Sequence, residues 1–151
     1  MSHIHPTLRR DGDQVIILDQ TRLPHEEHYL RLDSLDDAAT AIRDMHVRGA
    51  PLIGAAAAFG VALALRHDPS DAMLRQADCT LRQTRPTAVN LHWALDRMLA
   101  TLAPLPTVVR SRAAWTEAEA IRCADLAANA AIGEHGLGLL RQLALSTHGP
   151  L

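Results

Sequence analysis

The spacing of apolar residues changes character near residue 33. Before it, residues 15–18 form a short β-branched run preceded by the turn signal Asp11-Gly12-Asp13. Thr21-Arg22-Leu23-Pro24 offers a second turn ahead of the alternating His28-Tyr29-Leu30-Arg31-Leu32. Residues 1–33 therefore predict a small antiparallel β-meander. After Asp33, Leu35, Ala38, Ala39, Ile42 and Met45 recur at helical spacing behind a Ser34 to Asp37 capping-box pattern, which predicts a first helix stopping at Gly49. Pro51 suits the first turn of a second helix over residues 51–65, apolar on all sides and hence central and buried.

Ser70 and the stripe Met73, Leu74, Ala77, Leu81 predict a third helix ending near Arg85-Pro86, with Arg75, Asp78 and Arg82 outward. Thr87 is the expected cap of a fourth, whose stripe is Ala88, Leu91, Leu95, Met98, Leu99 and Leu102, and Pro104 and Pro106 end it. An alanine-rich helical stretch follows over 111–145, with a second capping pattern at Thr116 to Glu119. Trp115, Ile121, Ala124, Ala128 and Ile132 are expected inward, and Gly133, Gly136 and Gly138 are places where it could break. No repeat or linker divides residues 34–145, so the fold class is mostly α with an N-terminal β-meander packed as one unit. The tail over 146–151, a Gly-Pro turn and one leucine, reads as the lead-in to a further element.

Composition narrows the function. Fifteen basic against 17 acidic residues leave a net charge of -2, without the field that draws a protein to nucleic acid or a membrane surface. Every basic residue is arginine, which removes Schiff-base chemistry and a phosphate-loop lysine, so an anion would be held by arginine or backbone N–H. Aromatics are 3% of the chain, too few to line a base-stacking groove. The apolar segment over 51–65 falls short of the roughly 18 residues a bilayer span needs. Cys79 and Cys123 form no framework, which points to a reducing compartment, and with no apolar signal core in the first ten residues the expected location is the cytoplasm.

Two segments carry candidate chemistry. In Arg48-Gly49-Ala50-Pro51 an arginine precedes a glycine and a proline-started helix, an arrangement that can hold a phosphate with the amides of residues 52–54. The plainer reading is a tight corner between two helices. Arg85-Pro86-Thr87-Ala88-Val89-Asn90 repeats the logic, so two arginines at two helix starts could share one dianion. Alternatively, Arg85 is a solvated charge and Asn90 a local cap partner. His25-Glu26-Glu27-His28 has its histidines three apart rather than the four of a zinc-protease helix, and no metal is expected. Gly133-Glu134-His135-Gly136-Leu137-Gly138 follows an alanine-rich helix instead of a strand and is no dinucleotide fingerprint. Neither cysteine has a base at an obvious spacing, so both read as packed thiols.

Four motifs in order, Leu18-Asp19-Gln20-Thr21-Arg22-Leu23-Pro24, Arg48-Gly49-Ala50-Pro51-Leu52-Ile53-Gly54, Arg85-Pro86-Thr87-Ala88-Val89-Asn90-Leu91 and Ile132-Gly133-Glu134-His135-Gly136, closely resemble the S-methyl-5-thioribose-1-phosphate isomerases of methionine salvage. Members of that family are more than twice as long, and this chain looks like their N-terminal half, a β-meander and helical domain ahead of a Rossmann-like half. The resemblance implies conversion of 5-methylthioribose 1-phosphate to 5-methylthioribulose 1-phosphate without metal or organic cofactor. It assigns Arg48, Gly49, Ala50 and Arg85 to binding the sugar phosphate, the arginines chiefly through its phosphate. The family's catalytic cysteine and aspartate belong to the later half, so no catalytic residue is expected here and the chain alone should be inactive. Dimers are usual in the family. The alternatives are a non-catalytic module related to the regulatory subunits of the translation-initiation nucleotide exchange factor, or part of a ribose-1,5-bisphosphate isomerase, whose second phosphate would need another cationic patch.

Overall fold

The computed structural model describes residues 6–146, with side chains through residue 144. Three strands, β1 (Leu8–Asp11), β2 (Gln14–Leu18) and β3 (Tyr29–Leu32), form an antiparallel sheet in sequence order. Gly12, at φ 62°, makes the β1–β2 turn, and the register pairs Leu8 with Ile17, and Val15 with Leu32. Those four side chains enter the core. Five helices follow: α1 (Leu35–Arg43), α2 (Ala50–Leu65), α3 (Asp71–Arg82), α4 (Val89–Leu102) and α5 (Thr107–Ser146). The expected meander and helical region are both present and share one core. Of the tail, only Ser146 lies within the described residues, where it closes α5.

Helix α2 is the axis of the domain and packs against the other four helices. Every residue from Ile53 to Leu63 is buried, and its alanines and glycines let neighbours approach at backbone distance. A Cβ on Gly60 would stand 3.0 Å from the Ala38 Cβ, so α1 sits almost on the α2 backbone. Phe59 meets Trp115 of α5 with ring centroids 5.9 Å apart in a tilted pair. Arg10 of β1 lies over the Trp115 ring, its guanidinium 4.4 Å from the centroid, joining the sheet to α5.

Local signals start α1 and α3 as expected. The Ser34 Oγ accepts from the Asp37 amide at 3.1 Å, and the Ser70 Oγ accepts from the Met73 amide at 3.2 Å. Elsewhere tertiary structure overrides the pattern. Helix α1 stops at Arg43, six residues before Gly49, and Met45 is an exposed turn residue at φ 63° instead of a core position. Thr87 does not cap α4; Ala88 occupies that position without a side-chain bond. Helix α5 begins at Thr107 and runs unbroken through Thr116, whose hydroxyl donates back to the Arg112 carbonyl, and through all three glycines. Trp115 and Ile121 face the core, but Ala124, Ala128 and Ile132 are exposed, because α5 outruns the domain after about its first four turns.

Candidate functional site

The turn between α1 and α2 is anchored from outside. Asp19, at the end of β2, is 3% exposed and accepts from the Thr21 amide at 3.0 Å, the Thr21 hydroxyl at 2.6 Å and the His46 ring at 2.9 Å. The Gln20 amide donates to the His46 carbonyl at 3.0 Å, so His46 is held by side chain and backbone together. Burial pushes the Asp19 carboxyl up, but the hydrogen bonds from Thr21 and His46 outweigh it and hold the group at about 2. Val47 is fully buried, and its amide donates to the Ala41 carbonyl at 3.3 Å. Two residues beyond His46, Arg48 emerges exposed, its Nε donating to the Met45 carbonyl at 3.3 Å. Sequence reasoning found Asp19 only inside a motif; the partner 27 residues away that gives it a role carries no local signal.

Gly49 is the cap of α2 at φ 91°, a left-handed conformation that L side chains rarely adopt. The Ile53 amide donates to the Gly49 carbonyl at 3.0 Å, so helical bonding begins there. Of the amides expected over residues 52–54, that of Ile53 is thus spent inside the helix, and with Pro51 having none the first-turn donors are the Ala50 and Leu52 amides.

The second arginine segment follows the end of α3, where the Thr84 hydroxyl donates to the Leu81 carbonyl at 2.6 Å. The Arg85 carbonyl accepts from the Ala88 amide at 3.0 Å, and the His92 Nε2 lies 2.8 Å from the Pro86 carbonyl, which together shape the lead into α4. Arg85 is half-buried, and its guanidinium has no hydrogen-bond or ion-pair partner among the described residues. Arg82 is committed elsewhere: it bonds both Asp78 and Asp96, and the Asp78 hydrogen bond raises its pKa further.

The starts of α2 and α4 are in contact. A Cβ on Gly54 would stand 2.8 Å from the Asn90 carbonyl oxygen, so only glycine lets the two first turns meet this closely. Beside that contact opens a groove of about 420 Å³ between Pro51 and Gly54 of α2, Asn90 and Trp93 of α4, and Ile121 and Asp125 of α5. Arg48, Gly49, Ala50 and Arg85 do not line it; they stand just before the residues that do. Neither cysteine borders it: Cys79 is exposed on α3 and Cys123 exposed on α5, near Glu119 and Arg122.

Two helix starts, each preceded by an arginine, meet beside one groove in a mostly helical domain that carries a small antiparallel sheet. The Initiation factor 2 subunit family matches residues 46–149, and the chain belongs to that family. It is 55% identical over 141 residues to a protein named methylthioribose-1-phosphate isomerase from Methylorubrum extorquens, a match covering 93% of this chain and 39% of the relative. Among solved structures, 5-methylthioribose 1-phosphate isomerase from Pyrococcus horikoshii is similar at a TM-score of 0.72 and 34% identity, covering 79% of this chain and 36% of that one. The translation initiation factor eIF-2B, subunit delta, from A. fulgidus is similar at 0.73 and 31%, covering 80% and 37%. The chain thus spans under two-fifths of the length of these relatives.

Proposed function

We propose that this chain is the N-terminal, phosphate-holding part of a cytoplasmic aldose–ketose isomerase that converts 5-methylthioribose 1-phosphate to 5-methylthioribulose 1-phosphate. The observation that carries the reading is the juxtaposition of the two arginine-led helix starts across Gly54 and Asn90. Arg48 and Arg85 bring positive charge to that corner, and the Ala50 and Leu52 amides add donors along the α2 axis, a combination suited to a sugar phosphate. Relatives above 50% identity carry the isomerase name, which favours this reading over a non-catalytic initiation-factor module.

Phosphate binding positions the sugar without moving its hydrogen. Shifting hydrogen between C1 and C2, with the anomeric oxygen blocked by phosphate, takes a positioned acid and base in a dry site. The groove offers Asp125 on an open surface and no thiol, so the chain by itself orients substrate and does not turn it over. Titrating the purified chain with inorganic phosphate by amide NMR tests the corner: the Ala50 and Leu52 amides should shift, and Arg48→Ala or Arg85→Ala should weaken binding by about tenfold or more. Unchanged affinity in both variants refutes the corner, and measurable ketose formation by the purified chain refutes its inactivity.

A further inference from the structure

The groove beside the arginine corner is of the opposite character. Trp93, 50% exposed, and Val89, 77% exposed, leave large apolar surfaces open to solvent at the start of α4. Ile121 and Ala124 of α5 face them across the gap, and its volume of about 420 Å³ falls within the range of small-ligand sites. No arginine is among the residues that line it, and the one charged side chain there, Asp125, is a carboxylate. Arg97 does reach the Trp93 ring, 5.7 Å from its centroid, but its guanidinium is bound to Glu117 of α5.

We infer that this groove receives the apolar 5-methylthio end of the sugar phosphate and that Trp93 selects for it. The inference rests on the proposed phosphate corner: with the phosphate held before α2 and α4, the groove is the adjoining space for the rest of the ligand. Removing a thioether methyl from water is favourable, and sulfur against an aromatic ring adds to it. A hydroxyl in the same place would find few partners. A second phosphate would meet Asp125 and no free cation, so the groove selects against a bisphosphate.

The chain itself reads out the test, because Trp93 and the buried Trp115 are its only tryptophans and a Trp93→Phe variant assigns their indole N–H signals. The probes are inorganic phosphate, ribose 1-phosphate, methylthioribose 1-phosphate, ribose 1,5-bisphosphate and phosphate-free methylthioribose. Methylthioribose 1-phosphate should bind about tenfold more tightly than ribose 1-phosphate and shift the Trp93 indole while leaving Trp115 still. Methylthioribose alone should shift the same signal at higher concentration. Trp93→Ala and the groove-filling Ala124→Phe, both at exposed positions, should bring the two monophosphates within about twofold while inorganic phosphate binding persists. Equal affinities in the unaltered chain, an unmoved Trp93 signal, or tighter binding of the bisphosphate would overturn the inference. A methylthio preference that survives with no dependence on Arg48 or Arg85 would overturn the phosphate corner and leave the groove standing.

Discussion

At the scale of single residues, two buried polar groups do more than their sequence contexts suggest. Asp19 titrates at about 2 in the folded chain against 3.8 for the unperturbed group. A carboxyl held below its unfolded value contributes stability that is complete above the unfolded value and is lost as pH falls through the folded one. Its contribution should therefore disappear between about pH 4 and pH 2, and Asp19→Asn should flatten the fall in melting temperature across that window. Parallel melting curves for the two proteins over the range would argue against it. Arg110 is the second group. It is 3% exposed and donates to the carbonyls of Leu102, Leu105 and Pro69 at 3.1, 2.8 and 2.7 Å, closing the end of α4 and reaching the lead-in to α3. An Arg110→Leu variant removes these bonds, leaving the Leu102 carbonyl only its bond from the Leu105 amide, and should lose about 2–4 kcal/mol in urea unfolding, where an exposed arginine such as Arg75 replaced in the same way should cost almost nothing.

At the scale of elements, the decisive contact is that of α2 with α4. Nothing in the local sequence distinguishes Gly54 from the alanines that follow it, yet its missing Cβ is what lets Asn90 approach. Gly54→Ala should cost about 1–3 kcal/mol, because the atom in the way is backbone and cannot rotate aside. It should also weaken phosphate binding by pushing the two arginine-led starts apart. A variant of full stability and unchanged phosphate affinity would show that the close approach is dispensable. Helix α5 teaches the converse: Gly133, Gly136 and Gly138 each cost helix propensity but do not end the helix, since no partner element competes for the chain there.

At the scale of the whole molecule, the first turns of α5 are core and the remainder is not. Leu126, Ile132, Leu137, Leu139 and Leu140 are each between 47% and 69% exposed, on a helix of 40 residues and about 60 Å. So much apolar surface on one projecting helix should make the purified chain self-associate, with a sedimentation coefficient that rises with concentration over the micromolar range. A concentration-independent monomer would mean that this surface is covered or tolerated in the chain as it stands.

The sequence by itself determined the order and type of the elements, the β-meander, the burial of α2 and the two arginine segments. Each of these is written within a few residues, as period, cap or turn, and local sterics and burial read it directly. Tertiary structure alone decided where α1 ends, because that turn is set by the Asp19 to His46 bond between residues 27 positions apart. It alone decided which part of α5 is covered, since exposure depends on where the neighbouring helices stop. And it alone brought the starts of α2 and α4, which follow the Arg48 and Arg85 segments, into contact, because that contact is a single glycine against a carbonyl on another helix, a fit between backbones that no pattern along either one records.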